Sequence, residues 1–238
     1  MRVMARPTDF SRSGPYFAGL FLVALVAFWP TYLSLAPSAS SAYTHLHALT
    51  AAAWMLMLVA QPLAIRVRRI RLHRLMGQVS YALAPLMLVS IVLLAHSRIR
   101  GLEGEAYGAQ TYILYLQLSL AMLFNISYAL AIYWRRPAAL HARFMVCTAL
   151  TLIDPVVIRL LLWANPMPSW NYQWLTFGLT DAVFVVLIWL DRRSRVGRKV
   201  FPVMLGFFMM AQAPALFGLI YKPAWQTFAR WFAALPLT

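Results

Sequence analysis

Seven apolar stretches, each long enough to cross a lipid bilayer, follow one another along this chain, with short arginine-rich runs between them. A helix needs about 20 mainly apolar residues to cross the hydrocarbon. No period of about 20–50 residues repeats, so one bundle is expected. The pattern predicts an all-α integral membrane protein, a seven-transmembrane-helix bundle. Its predicted spans are residues 16–35, 43–65, 75–95, 110–134, 144–163, 172–190 and 200–219.

Composition supports the membrane class and excludes several others. Only 11% of the 238 residues are charged and the mean hydropathy is +0.68, whereas about a quarter of the residues of a soluble domain are charged. The net charge of +15 would indicate nucleic acid in a soluble protein. Here the Lys and Arg residues lie at the ends of the spans. The expected partner is therefore the lipid bilayer, and binding of nucleic acid is not expected. The single Cys147 excludes an intrachain disulfide framework.

The distribution of basic residues predicts the orientation of the chain. Cytoplasmic loops of membrane proteins are enriched in Lys and Arg. With seven spans, sixteen of the 21 Lys and Arg residues lie on one side, in residues 2–12, 66–74, 135–143 and 192–199. The N-terminus is therefore expected in the cytoplasm of a bacterium, with the chain crossing the inner membrane several times. The first apolar stretch lacks a convincing cleavage site, so it is expected to be retained as the first span.

Three segments follow from this organisation. Residues 1–15 are expected to form a cytoplasmic tail, residues 16–219 the seven-span membrane domain, and residues 220–238 an interfacial C-terminal segment. In the last segment Trp225, Phe228 and Phe232 recur at intervals of three and four residues. That spacing predicts a short amphipathic helix lying in the outer interface.

Two histidines, His73 and His141, lie at the inner ends of the third and fifth predicted spans. In the first turn of a helix the dipole disfavours a charged imidazole, and neutral imidazole is the form that binds metals. Gly77 lies four residues after His73 and shares its helix face. A glycine there leaves room for a flat ring such as a porphyrin, or for close helix packing.

Arginines flank both of these histidines. Arg74 and Arg143 can neutralise haem propionates or bind anionic lipid headgroups. The residues together predict a site for haem b or a transition-metal ion at the inner side. For each histidine, an ordinary interfacial or helix-capping role is the alternative.

Three further histidines are predicted on the outer side. His45 and His47 begin the second span and His96 ends the third. His45 and His47 point about 200° apart in a regular helix, so His47 with His96 is the simpler metal pair, and His45 joins it only if the helix begins later. His73 and His96 are about 34 Å apart along one helix, which is far for stacked haems and favours a single haem or a one-sided metal site over a two-haem wire.

Two of the six acidic residues, Asp154 and Asp181, fall deep inside the fifth and sixth predicted spans. A charge at the bilayer centre is costly, so such residues are functional candidates that need a partner. Arg159 is the expected partner of Asp154. Two carboxylates in one apolar site would form a proton-binding pair, and a structural Asp–Arg pair between the two helices is the alternative.

Short motifs in spans two to five resemble those of a known group of proteins. The segments are LHALTAAAWMLMLVAQPLAIRVRRIRLHRLMGQVSYALAPLML and LHARFMVCTALTLIDPVVIRLLL. They contain His47 at one helix start, His73-Arg74 with Gly77 at the next, His141-Arg143-Met145 later, and Arg159. The pattern resembles a widespread group of bacterial multi-span membrane proteins. The resemblance implies a membrane fold and no particular activity.

These features favour a membrane protein that binds haem b or a metal ion through its span-end histidines, in a redox or cofactor-handling role. The alternative is a proton- or cation-coupled carrier using Asp154, Asp181 and Arg159. A third hypothesis is a non-catalytic subunit or assembly partner that associates with other membrane subunits. No Ser–His–Asp, Walker or H-E-x-x-H pattern is present.

Overall fold

The computed structural model describes residues 10–165 and 171–238, and within these ranges the chain is helical without strands. Residues 1–9 of the predicted tail lie outside the described residues. A π-helical turn, Trp29–Leu33, follows α1. The helices are α1 Gly14–Phe28, α2 Ala42–Arg66, α3 Ile70–Ile99, α4 Gly104–Tyr133, α5 Ala138–Leu150, α6 Ile153–Ala164, α7 Gln173–Asp191, α8 Val200–Leu216 and α9 Pro223–Ala233.

Six helical segments are long and apolar enough to cross a membrane. They are α1 with its flanking turns, α2, α3, α4, α5 together with α6, and α7. The prediction of a multi-pass helical membrane protein is thereby confirmed. Helix α8 is apolar but has 17 residues, which is about 26 Å at 1.5 Å per residue, less than the roughly 30 Å of the hydrocarbon core.

Helix α3 is longer than its apolar stretch. It begins at Ile70 and ends at Ile99, whereas the apolar pattern covers residues 75–95. Arginine is a good helix former, and its long side chain can reach the aqueous interface from a helix end. The turn before α3 is consequently short, and Arg68 adopts a left-handed conformation with φ +60°.

One of the spans is interrupted near its middle, between α5 and α6. Pro155 has no N–H to donate to the carbonyl of Thr151, so the regular helical bond is lost there. Leu152 N instead donates to Ala149 O at 3.0 Å, a tighter turn. Helix α6 then begins at Ile153. Asp154 therefore lies in the first turn of a new helix inside the span.

The connections α2–α3, α4–α5 and α7–α8 lie at one end of the bundle, here called the basic end. His73 of α3 and His141 of α5 are within electrostatic range of each other. Arg143 of α5 bonds to Asp191, the last residue of α7. The α3–α4 turn lies at the opposite end. The arginine-rich connections of the described chain thus share one end of the bundle.

The bundle interior is apolar and is divided between two main clusters. Helices α4, α5, α7 and α8 bury one cluster that includes Phe184, Phe201 and Phe208. Helices α2, α3 and α4 enclose the other around Trp54, which is 0% exposed. Many large apolar side chains remain exposed on the outside of the helices, as expected for surfaces in contact with lipid.

The predicted C-terminal amphipathic helix is present as α9. Its Ala229 and Phe232 are buried against Ala95, Ile99 and Leu114, at the opposite end of α3 and α4. Trp225 Nε1 also donates to the Thr111 carbonyl at 3.2 Å. This helix therefore packs on the bundle as well as carrying exposed aromatic side chains such as Trp231.

Candidate functional site

The two inner histidines lie close together at the basic end. Each is the fourth residue of its helix, α3 for His73 and α5 for His141, and the two rings interact electrostatically. His141 Nδ1 lies 2.9 Å from the carbonyl oxygen of Ala131. Because a carbonyl only accepts, Nδ1 carries the proton and the neutral ring keeps a free lone pair on Nε2. Metal-binding histidines commonly have this arrangement.

His73 has a different neighbour, Gln61 of α2. With its amide nitrogen facing His73, Gln61 donates to His73 Nδ1 and to the His73 carbonyl, while its oxygen accepts from the Gly77 N–H at 3.2 Å. In a neutral ring the Nε2 atom of His73 would then carry the proton. A Cβ added at Gly77 would meet nothing within 4 Å, so Gly77 is not required there by close helix packing.

Arg143 is fully occupied by a partner that the sequence reasoning missed. Its Nε donates to Asp191 Oδ2 at 2.7 Å and its Nη2 to Asp191 Oδ1 at 2.5 Å. The Ser194 hydroxyl donates to the same carboxylate at 2.6 Å, and Arg143 Nη1 donates to the Ala139 carbonyl. Arg143 and Asp191 are each 1% exposed. Arg143 is therefore not available to a haem propionate, whereas Arg74 is exposed.

The α7–α8 connection closes over this ion pair at Gly197. Gly197 has φ +84°, and a Cβ placed on it would lie 2.9 Å from Arg143 Cδ. We expect Gly197→Ala to lower the free energy of unfolding by about 1–3 kcal/mol, because a non-glycine residue in such a conformation is strained. Thermal unfolding in detergent micelles measures this change.

A matched control separates backbone strain from the contact with Arg143. Gly101 has φ +73° and nothing within 4 Å of an added Cβ. Gly101→Ala should therefore cost less than Gly197→Ala. Equal costs for the two substitutions would show that the contact with Arg143 is unimportant.

The three outer histidines have separate environments. His45 uses both ring nitrogens, with Nδ1 2.8 Å from Tyr32 Oη and Nε2 2.8 Å from the Pro37 carbonyl. His47 Nδ1 lies 3.2 Å from Ser90 Oγ. His96 is 0% exposed, and its Nδ1 lies 2.6 Å from Thr238 Oγ1.

The predicted His47–His96 metal pair is not assembled in this arrangement. His47 contacts α3 at Ser90, and His96 lies six residues further, about 9 Å along the helix axis. In this arrangement the two histidines bond to different side chains, His47 to Ser90 and His96 to Thr238. Within residues 10–165 and 171–238, no three His, Cys, Asp or Glu side chains are grouped to hold a metal ion.

Asp154 is held by an amide. The residue is 5% exposed, and Gln173 Nε2 donates to Asp154 Oδ1 at 2.6 Å and to Thr176 Oγ1 at 2.8 Å. Gln173 is the first residue of α7, so Asp154 lies level with the N-terminal end of that helix. Sequence reasoning missed Gln173. The only sequence feature that pointed to Gln173 as a site residue was its place as an isolated glutamine at the start of an apolar stretch.

Asp181 lies deeper in the bundle than Asp154. It is eight residues along α7 from Gln173, about 12 Å towards the basic end. Gln212 of α8 donates through Nε2 to Asp181 Oδ1 at 2.9 Å. The two carboxyl groups are thus each held by a glutamine and are not bonded to one another.

A small cavity lies beside Asp154 and beside Gln212, the residue that donates to Asp181. It is lined by Asp154, Gln212, Ser119 and Thr180 among apolar side chains of α4, α5, α7 and α8. Its volume is about 20 Å³, and a cavity needs roughly 10–15 Å³ by this measure to hold a water molecule. The cavity is therefore large enough for one water molecule beside Asp154 or Gln212.

Arg159 is near Asp154 without pairing with it. Among the described residues no salt bridge within 4.0 Å joins them, although they interact electrostatically. Arg159 Nη1 donates to the Pro155 carbonyl at 2.8 Å. Its guanidinium stacks over the ring of Phe28, 4.3 Å from the centroid.

The chain was compared with protein-family models, with curated proteins and with solved structures, and no match was found in any of the three.

Proposed function

We propose that this chain is a proton- or cation-coupled carrier of the bacterial inner membrane, in which Asp154 and Asp181 bind the coupling ion. The observation that carries the proposal is a buried Asp154 held by an amide donor beside a water-sized cavity. A carboxylate charge that is buried in the protein without a bonded cation costs several kcal/mol. Uptake of a proton or a small cation removes that cost.

The interrupted span supports the same function. Many secondary transporters bind their substrates and ions where a helix is broken inside the membrane, because the broken ends expose backbone groups. Here α5 ends at Leu150 and α6 begins at Ile153, and Asp154 follows immediately. The cavity lined by Asp154 and Gln212 lies next to this break, and Gln212 in turn donates to Asp181.

The proposed topology has seven spans with the basic end in the cytoplasm, following the positive-inside rule. Helix α8 is the seventh span, and its short length is accommodated by local thinning of the bilayer. Helix α9 lies in the outer interface. In this orientation Asp154 is the acid nearer the outside and Asp181 the one nearer the cytoplasm.

Proton flux into proteoliposomes tests the carrier. An internal pH-sensitive dye reports proton entry while a potassium gradient with valinomycin sets the membrane potential. We expect the wild-type protein to acidify the lumen faster than protein-free liposomes, and Asp154→Asn to match the protein-free rate, because an amide cannot bind a proton. Asp181→Asn is expected to slow entry as well.

The matched control is Glu105→Gln, which neutralises an exposed acid in the first turn of α4 and should leave the flux unchanged. Size-exclusion elution identical to the wild type shows that each variant is folded. Unaltered proton entry in both Asp154→Asn and Asp181→Asn would contradict the proposal.

A second candidate function is the binding of haem b or a transition-metal ion by His73 and His141. The free Nε2 of His141 and the proximity of the two rings favour it. The fit is incomplete, because Gln61 donates to His73 Nδ1 and so leaves the proton of the neutral ring on Nε2. For haem b, Asp191 also occupies Arg143. Two histidines alone are also fewer than the four ligands of a closed zinc site.

An absorption spectrum and metal analysis of the purified protein decide this candidate. We expect a Soret band or bound metal in the wild type, its loss in His141→Ala, and its retention in His45→Ala, whose ring nitrogens already have partners. A colourless, metal-free wild-type protein would end the cofactor hypothesis.

A further inference from the structure

Arg159 is an arginine inside a membrane helix whose charge is not neutralised by a bonded carboxylate. A guanidinium carries five N–H donors, and among the described residues Arg159 uses one hydrogen bond, to the Pro155 carbonyl. The stack on Phe28 covers one face of the group and leaves its in-plane donors free. Among the described residues no carboxylate lies within 4.0 Å of the guanidinium, so its free donors can bind an anion.

A histidine and a second arginine interact electrostatically with Arg159. His47 of α2 and Arg98 at the end of α3 are both within electrostatic range of Arg159. Arg98 is exposed, so it lies where a dissolved anion would first arrive, whereas Arg159 lies five residues, about 8 Å, from Asp154. The three charged residues therefore differ in burial: Arg98 is exposed, Arg159 is half-buried and Asp154 is buried.

We propose that this region, bounded by Phe28, His47, Arg98 and Arg159 and here called the arginine vestibule, binds the carboxylate of a small organic monoanion. The planar fork of an arginine matches a carboxylate with two parallel hydrogen bonds. When Asp154 is protonated, Arg159 carries a positive charge that no bonded carboxylate neutralises among the described residues, so one bound negative charge balances it. The apolar contacts of α1, α2 and α6 beside Arg159 suit an organic group rather than a fully hydrated ion.

The position of Asp154 gives the vestibule a coupling mechanism, and this step rests on the proposed function. An anion on Arg159 brings a second negative charge near the Asp154 carboxylate, and like charges favour uptake of a proton by the acid. Binding of the anion and of the proton then strengthen each other reciprocally. The substrate class is accordingly a small carboxylate that crosses the membrane together with a proton.

Ligand-dependent thermal unfolding of the purified full-length protein tests the site, with benzoate and acetate as probes. A ligand that binds only the folded state raises the unfolding temperature, and the concentration dependence gives its Kd. We expect benzoate to stabilise the wild type and benzamide, the neutral molecule of the same shape, to have no effect. Arg159→Gln should weaken benzoate binding at least roughly tenfold, and Arg159→Lys should weaken it less.

The control variant is Arg100→Gln, which removes an exposed arginine at the end of α3 and should leave the benzoate Kd unchanged. Three results would overturn the site. They are no stabilisation by either carboxylate, equal stabilisation of Arg159→Gln and the wild type, or stabilisation by inorganic phosphate alone. If Arg159→Gln does not fold, two comparisons still test the site. One is the benzoate Kd of Arg159→Lys against that of the wild type, and the other is stabilisation of the wild type by benzoate against stabilisation by benzamide.

Proton uptake on ligand binding separates this inference from the carrier proposal. Benzoate at matched pH is mixed with the protein in weak buffer, and a pH indicator records the change. We expect uptake by the wild type, and benzoate binding without uptake in Asp154→Asn. Binding without uptake in the wild type would overturn the coupling and leave the anion site standing. Proton flux without any carboxylate binding would overturn the arginine vestibule and leave the carrier standing.

Discussion

Asp191→Ala is expected to lower the free energy of unfolding by about 3–5 kcal/mol, the cost of leaving one partner of a buried ion pair behind. The substitution strands the Arg143 guanidinium, which is 1% exposed and bonded to both carboxylate oxygens of Asp191. It also removes the acceptor of the Ser194 hydroxyl. For a chain of this size each kcal/mol shifts the unfolding temperature by about 2–4 °C, so thermal unfolding in detergent should show a decrease of roughly 10 °C.

Two further variants sharpen this measurement. Arg193→Ala removes an exposed charge from the same connection and should change the unfolding temperature little, because exposed charges contribute at most about 1 kcal/mol. The double variant Arg143→Met with Asp191→Leu removes both charges and should recover much of the loss, since apolar replacements of buried ion pairs are often neutral. Asp191→Ala unfolding at the wild-type temperature would contradict the role of the pair.

Trp54→Ala is the second large effect that we expect. Trp54 is 0% exposed and contacts the rings of Phe124 and Tyr128 edge to face, with centroids 4.8 and 5.4 Å away. Truncation of a buried aromatic costs about 3–5 kcal/mol in soluble proteins. We expect the lower end, about 3 kcal/mol, because lipid or detergent solvates apolar side chains in the dissociated state and leaves mainly the loss of packing.

Trp54→Phe provides the contrast. The indole Nε1 is buried without a hydrogen-bond acceptor among the described residues, and an unsatisfied buried donor costs about 1–3 kcal/mol. Phenylalanine removes that donor while keeping an aromatic ring, so its loss of stability should be well below that of Trp54→Ala. Denaturant unfolding of both variants gives the comparison, and similar losses would show that ring packing does not dominate at this position.

The sequence predicted the spans well because lipid imposes one requirement on every residue that it contacts. The predicted stretches 43–65 and 172–190 agree with α2 and α7 to within one residue at each end. The ends of α3 were predicted less well, since the polar residues that leave the hydrocarbon continue the helix. The break after Leu150 could be anticipated from Pro155, although its exact place depends on the bonding of Leu152.

The site was harder to predict because contacts between helices do not follow from spacing along one helix. Arg159 was expected to pair with Asp154, but five residues at 100° each turn the two side chains about 140° apart around α6. Asp191 received no role in the sequence interpretation. The sequence feature that could have identified it is a single acidic residue beside the five Lys and Arg residues of 192–199. A carboxylate at such a place can be buried when a buried cation pairs with it.

The amide partners carried no sequence signal that distinguishes them from other polar residues. Gln61 contacts His73, Gln173 contacts Asp154 and Gln212 contacts Asp181, and each bond joins two helices. Only the packing of α2 on α3, α6 on α7 and α7 on α8 brings these groups together. Gln212 lies inside the predicted span 200–219, where nothing in the sequence identifies its partner.

The only cysteine of the chain, Cys147, is 0% exposed in the middle of α5. Thiol reagents react with accessible thiolates, and a buried thiol in apolar surroundings is inert. The native protein therefore offers a silent background for scanning by single introduced cysteines with membrane-impermeant maleimides. With the basic end in the cytoplasm, a cysteine introduced in the α3–α4 turn should react in intact cells. Cysteines introduced in the α2–α3 and α7–α8 connections should react only after the membrane is permeabilised.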